Sequence, residues 1–310
     1  MIRRVVVSGP TGEIGLALIN LLSEQQIEVL ALCRPNSKRK KYIPQSPYVV
    51  IKECDLSAIS DLPTMPTKYD AFFHLGWCGS YGEERDSLYL QTQNIKYELD
   101  AVNLAEKLGC KVFVGAGTQA EYGRKNKPLT PKTSVEPETA YGMAKLCAGW
   151  FSRLECEKKG IKHIWMRIAS VYGPGDGPNT LITYMMKQLK YQQDIMLTPC
   201  EQIWDYLFSK DAARAFYLVA EKGVSGKTYC LGSGQAMPLK QYMTEVQKLI
   251  DEQKLLTQII YGGKSYGENQ MMYLCADISA LKQDTGFKPK TAFEDGLKQT
   301  YHWYVKNDLI

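Results

Sequence analysis

A β-branched run ending in three evenly spaced glycines, Val5-Val6-Val7-Ser8-Gly9-Pro10-Thr11-Gly12-Glu13-Ile14-Gly15, limits this chain to few architectures. The apolar run predicts a buried parallel strand, and the pattern that begins at Leu16 predicts a helix after a tight turn. Free N–H groups at the helix start, together with the positive end of its dipole, suit such a turn to a pyrophosphate. Gly9 permits the turn, Gly12 lets a ligand approach the backbone, and Gly15 lets the helix lie close to the strand. Thr11, Glu13 and Ile14 complete the stretch expected to touch a dinucleotide. A strand–helix turn without a ligand reads the same way, because glycines mark many ordinary turns.

Strand-like runs recur at 2–7, 27–33, 48–54, 69–75, 111–116 and 162–169, and helical patterns at 13–24, 84–108 and 138–159 separate most of them. Strands alternating with helices predict right-handed crossovers and an α/β fold, a Rossmann doubly wound parallel sheet. At Gly173-Pro174-Gly175-Asp176-Gly177-Pro178 a breaker cluster interrupts this texture. Beyond it, short strands mix with helices at 179–192, 210–221, 238–252 and 291–306. The expectation is a dinucleotide-binding domain over 1–173 and a smaller mixed α/β substrate-binding domain over 174–310. The boundary is soft, with some chain crossing back. Ligands of open α/β sheets lie at the C-terminal strand ends, so the crevice between the two parts is the expected site.

Composition excludes several classes. The chain is 45% hydrophobic and 23% charged, and no apolar run reaches the roughly 18 residues of a membrane span. It enters a strand at once, which is expected to leave no room for a signal peptide. Nine scattered cysteines with no C-x-x-C pair fit reduced thiols in a cytoplasm. His74, His163 and His302 lack ligand-like spacing, so no metal site is expected. The net charge of +5 and one short basic run, Lys38–Lys41, do not make the long basic surface that nucleic acids require.

The end of the second strand bears on cofactor choice. Many NAD sites place an acidic residue there for the ribose 2′-hydroxyl, whereas this chain reads Cys33-Arg34-Pro35-Asn36-Ser37-Lys38. Arg34, Ser37 and Lys38 could bind a 2′-phosphate through charge-assisted hydrogen bonds, so NADP(H) is favoured over NAD(H). A solvated basic loop is the alternative reading. Asp55-Leu56 follows the third strand, where the carboxylate could accept from an adenine amino group or cap the next short helix. Leu75, Gly76 and Trp77 leave the fourth strand, and Gly76 would let a dinucleotide lie against the backbone. His74 reads as a packed core histidine.

Tyr141-Gly142-Met143-Ala144-Lys145 carries the sharpest chemical signal. Residues i and i+4 share a helix face, so the phenol and the ammonium point into one space. A phenol with an ordinary pKa of about 10 is a poor base at neutral pH, and a nearby ammonium favours its ionised form. Lowering that pKa to about 7 takes roughly 4 kcal/mol. Thr118, ending the preceding strand in Gly115-Ala116-Gly117-Thr118-Gln119-Ala120-Glu121-Tyr122-Gly123, offers a hydroxyl to the same substrate oxygen.

Taken with Asn94, Arg167-Ile168-Ala169-Ser170-Val171-Tyr172-Gly173-Pro174, Trp204-Asp205-Tyr206 and Ala276-Asp277, these motifs resemble the extended short-chain dehydrogenases/reductases. The similarity is to the NAD-dependent epimerase/dehydratase family that works on nucleotide sugars, and it spans essentially the whole chain. It implies hydride transfer at a sugar carbon, with C4 expected, and Tyr141 as acid/base. Lys145 would also hold the nicotinamide ribose, Thr118 would bind the reacting oxygen, and Asn94 would support the active-site helix. Ile168 and Val171 fall among the implied cofactor contacts. Gln119, Ser170, Asn179, Trp204 and Lys264 are the implied substrate contacts, and a homodimer through helices 84–108 and 138–159 is expected.

The departures are informative. Dehydratases of this family follow the catalytic Thr with Asp and Glu, whereas this chain has Gln119 and Ala120. Ala120 cannot move a proton, so dehydration is not expected. The two arginines that often clasp the substrate diphosphate are absent, with Trp204 at one position and only Lys264 near the other. The expected activity is a nucleotide-sugar epimerase or ketoreductase, and the basic loop tilts toward the reductase. A cofactor-binding regulator without turnover is the alternative from another class.

Overall fold

The computed structural model describes residues 1–307. Its strands are β1 (Arg4–Ser8), β2 (Glu28–Cys33), β3 (Val49–Glu53), β4 (Ala71–His74), β5 (Val112–Thr118), β6 (Lys162–Ile168) and β7 (Ser170–Tyr172). They continue with β8 (Ile195–Met196), β9 (Ile203–Trp204), β10 (Tyr206–Phe208), β11 (Thr228–Leu231), β12 (Met237–Pro238) and β13 (Ile259–Ile260). Its helices are α1 (Glu13–Glu24), α2 (Leu88–Lys107), α3 (Ala140–Lys158), α4 (Leu181–Lys190), α5 (Ser209–Lys222), α6 (Leu239–Glu252), α7 (Ser279–Thr285) and α8 (Phe293–Asn307).

One sheet, ordered β3-β2-β1-β4-β5-β6-β11 and parallel throughout, organises the chain. Alternate residues of β1 serve opposite faces. Val5 and Val7 enter the core beneath α1 and α5, while Val6 joins Phe72 and Phe113 beneath α2. Each such fully buried side chain contributes about 1.5–3 kcal/mol, so the sheet sets the strand ends firmly. A third core, enclosed by α4, α6 and α8, forms the smaller lobe. Strand β10 pairs with β7 and ties that lobe to the C-terminal end of β6. Among the described residues, no helix is long and apolar enough to cross a membrane.

Two details were not expected. The chain crosses back as expected, with α5 packed on α1, but the strand at the sheet edge that pairs with Trp165–Ile168, β11, is not among the expected runs. Only four residues long, β11 carries too little pattern to stand out. The helix expected from 84 begins at Leu88, because Gly82 takes a φ of 65° and residues Gly82–Asp86 form a separate 3-10 turn.

Candidate active site

The glycine turn between β1 and α1 opens toward the C-terminal strand ends. Gly9 holds a φ of 70°, and a Cβ there would lie 2.6 Å from the Gly76 nitrogen, so only glycine fits. A Cβ on Gly15 would meet the Gly9 carbonyl oxygen at 2.2 Å, so its close neighbour is the turn itself rather than the strand. Gly12 is exposed, and no side chain caps the helix it precedes. An uncapped first turn facing open space fits a pyrophosphate, whose oxygens would accept from those amides. Leu75 and Gly76 pack beside it, the latter against Leu56.

The loop after β2 is engaged with the protein. Ser37 is buried beside the Cys33 thiol, while Arg34 and Lys38 are exposed. Arg39 reaches across the crevice to donate to the Gly175 carbonyl, and Lys40 pairs with Glu53 at 2.6 Å. Arg39 also faces Glu13 and Asp176, two carboxyls that share a hydrogen bond and are both pushed up by burial, Asp176 to about 6. Asp55 caps the turn Leu56–Asp61 by accepting from the Ser57 nitrogen at 3.0 Å. Asn94 is buried and clamps Cys78, accepting from its nitrogen at 3.0 Å and donating to its oxygen at 2.9 Å, which shapes the segment after β4.

Thr139 caps α3 by accepting from the Gly142 nitrogen at 3.1 Å. A Cβ on Gly142 would stand 2.4 Å from the Ala120 oxygen, so glycine lets the helix start close against the end of β5. This approach brings the Tyr141 phenol to the Thr118 hydroxyl. Thr118 Oγ1 accepts from the Ala120 nitrogen at 3.2 Å, which leaves its own proton free to donate. Lys145 is buried, donates to the Ala116 oxygen at 2.6 Å, and holds its ammonium 3.7 Å from the centre of the Trp77 ring. Burial raises the Tyr141 phenol, and the hydrogen bond from Thr118 and the charge of Arg85 oppose that rise. Burial also draws the Lys145 ammonium down to about 8, against the carboxyls of Glu98 and Glu121.

Beneath these groups lies a buried polar layer that sequence reasoning missed. Glu121 accepts from the Thr118 nitrogen at 2.8 Å, the Trp165 indole at 3.0 Å and the Arg167 guanidinium at 2.6 Å. With Thr118 it forms a capping box, and the spacing Thr118-x-x-Glu121 was the available signal. His74 is a packed core histidine, 2.7 Å from Ser8 Oγ and 3.7 Å from a Glu98 carboxyl oxygen. Both oxygens of Glu98 lack hydrogen-bond partners among the described residues.

Burial pushes Glu98 up to about 8 from an ordinary 4.5, so the folded chain retains a proton that the unfolded chain releases. The stability linked to this group is complete below about 4.5 and is lost as pH rises through about 8. His74, pushed down to about 3 by burial, acts oppositely: its cost is absent above 6.5 and grows as pH falls toward 3. Glu98→Gln should therefore exceed the wild-type chain in stability by on the order of 2 kcal/mol at about pH 9, and by less at about pH 5. Urea midpoints at the two pH values measure this. A difference independent of pH would contradict the assigned burial of a carboxyl.

On the substrate side, a cavity of ≈ 250 Å³ opens in the smaller lobe, with Trp204, Tyr206, Tyr184 and Lys264 in its wall. Trp204 donates its indole N–H to Ser170 Oγ at 3.0 Å, joining two of the expected substrate residues. Lys264 is exposed and lies 4.1 Å from the centre of the Tyr184 ring. Asn179 is exposed on the loop before α4 and does not line this cavity. Gln119 sits beside Thr118 with a buried carbonyl oxygen that has no partner among the described residues. Ile168 and Val171 flank the end of β6, half-buried.

Comparison with known proteins agrees with this geometry. The family model described as the NAD dependent epimerase/dehydratase family matches residues 5–232. A dTDP-glucose 4,6-dehydratase of Escherichia coli is 29% identical over 191 residues, 58% of this chain, and the match spans only 52% of that protein. An uncharacterized UDP-glucose epimerase of Bacillus subtilis is 25% identical, with 95% of each chain covered. Among solved structures, the UDP-glucuronic acid 4-epimerase of Bacillus cereus, in complex with UDP-glucuronic acid and NAD, has a TM-score of 0.82 at 19% identity, covering 98% of this chain and 99% of that one. The dTDP-glucose 4,6-dehydratase of Streptomyces venezuelae, with NAD and TYD bound, also has a TM-score of 0.82, at 20% identity and 98% and 97% coverage. Both structures hold NAD, which overturns the expected preference for NADP(H). Of the residues that expectation rested on, Ser37 is buried with its hydroxyl enclosed, while Arg34 and Lys38 are exposed. The chain belongs to the NAD-dependent epimerase/dehydratase family, extended short-chain dehydrogenases/reductases that act on nucleotide sugars.

Proposed function

We propose that this enzyme is an NAD-dependent epimerase that inverts one hydroxyl-bearing carbon, C4, of a nucleotide-linked hexose. The observation that carries the reading is the Thr118–Tyr141 pair beside Lys145, with an inert methyl at Ala120 where a dehydratase needs a carboxylate. The turn Gly9–Gly15, Asp55, Gly76 and Lys145 would hold the dinucleotide, and its nicotinamide when bound supplies a hydride acceptor and donor. Tyr141 takes the proton of the sugar hydroxyl as its carbon is oxidised and returns one to the same oxygen on reduction. Thr118 donates a hydrogen bond to that oxygen and keeps it aligned. The cavity lined by Trp204 and Tyr184 suits the nucleotide, with an indole face for a base and Lys264 for phosphate.

The test is a panel of UDP- and dTDP-hexoses incubated with the protein and NAD. Interconversion of C4 epimers with no net change in NADH absorbance supports the epimerase. Stoichiometric consumption of reduced cofactor, or loss of water from the product, would replace the reading.

The same proposal includes a cytoplasmic homodimer. The nine cysteines are free, six of them buried, and α3 presents Met143, Trp150, Phe151 and Leu154 about half exposed along one face. Such a stripe suits burial against a second copy of itself. Leu154→Glu is expected to yield monomers by light scattering while the chain stays folded. A wild-type chain that is already monomeric would dismiss the dimer.

A further inference from the structure

The 3-10 turn Gly82–Asp86 delivers a second cation to the active-site phenol. The Arg85 guanidinium carbon lies 4.7 Å from the centre of the Tyr141 ring, within the range at which a cation and an aromatic face attract. The turn is fastened from both sides. Buried Gln91 donates to the Gly79 oxygen at 2.8 Å and the Glu84 oxygen at 3.0 Å, and accepts from the Trp77 indole at 2.9 Å. Asp86 accepts from the Ala140 nitrogen at 3.2 Å, which joins the turn to the residue preceding Tyr141. Arg85 makes no ion pair among the described residues, so its charge is not spent on a carboxylate. Lys145, one helical turn below, directs its ammonium to the Ala116 oxygen and the Trp77 ring.

We propose that Arg85 is a positioning residue that acts through Tyr141, stabilising the ionised phenol and so setting the pH at which it accepts the sugar proton. The proposal rests on the reading of Tyr141 as the acid/base. Other groups bear on the same ring. Lys145 lies on α3, the Thr118 hydroxyl and the Glu121 carboxylate come from the end of β5, and Tyr81 and Asp86 come from the segment that carries Arg85. Glu121 disfavours the phenolate and Thr118 favours it, and the positive charge of Arg85 opposes Glu121 at this ring.

The experiment compares wild type, Arg85→Gln and Arg85→Lys, with Tyr141→Phe as the spectroscopic blank. Near-ultraviolet phenolate absorbance is titrated on the full chain, with and without NAD, and the difference from the blank isolates Tyr141. Arg85→Gln should move this titration upward by about one pH unit or more, and Arg85→Lys should restore most of it. The acidic limb of kcat should move in parallel, so turnover below that limb falls about tenfold. A Tyr141 titration in Arg85→Gln that overlays wild type overturns the proposal. An increased KM with an unmoved titration also overturns it, and assigns Arg85 to the substrate. Full turnover in Tyr141→Phe would instead remove the underlying reading, whatever the titration showed.

Discussion

Tyr141→Phe is expected to lower kcat by about 10²–10⁴-fold, the usual worth of a positioned acid/base, with little change in KM for the nucleotide sugar. The substitution deletes one hydroxyl from a side chain that is only half-buried, and it leaves the cap at Thr139 and the contact of Gly142 with Ala120 in place. The fold and the dinucleotide turn, at the far side of the crevice, should therefore be unaffected. Thermal denaturation and NAD binding serve as controls against a merely unfolded variant. A variant that turns over within about threefold of wild type, on any accepted substrate, would show that the proton moves elsewhere. Thr118 should cost less, because Thr118→Val removes a hydrogen bond to the oxygen but leaves the proton acceptor.

How much of this site could be read from residues alone depended on whether a local rule applied. The glycine turn was legible because strand, turn and helix each carry a pattern, and α1 begins and ends at the expected residues, Glu13 and Glu24. Tyr141 and Lys145 were legible through helical spacing, although the structure sends their charged and polar ends to different partners. Arg85 was not, because the path of an irregular turn between β4 and α2 follows from Gln91 and Asp86, whose bonds have no signature in sequence. The loop after β2 shows the opposite failure. A run of cations invites a phosphate, yet Arg39 and Lys40 are held by Gly175 and Glu53, Ser37 is buried, and Arg34 and Lys38 are left exposed. The tryptophan beneath the site was hidden in a similar way. Trp165 fills the space left by Gly115, Gly117 and Gly149, three glycines on two elements that only folding brings together.

That tryptophan and Arg167 meet at Glu121, and the pair is where stability and catalysis are joined. Arg167→Met is expected to destabilise the chain by about 3–5 kcal/mol, since it strands a carboxylate with almost no exposure and removes the cation in direct contact with it. Glu121 would keep the Thr118 N–H and the Trp165 indole, two neutral donors that cannot offset a buried charge. Removing both charges, in Glu121→Gln with Arg167→Met, should recover most of the loss. The amide oxygen can still accept from Thr118, and replacing a buried ion pair with neutral groups is often close to neutral. Urea midpoints for the four chains of this cycle isolate the coupling. A single Arg167→Met that costs under about 1 kcal/mol would mean that Glu121 is protonated or hydrated rather than paired. Catalysis supplies an independent reading, because Glu121 holds the backbone from which the Thr118 hydroxyl projects. If the double variant regains stability but not kcat, the ion pair serves to aim Thr118 at the sugar oxygen, and its retention in the core has a functional cause.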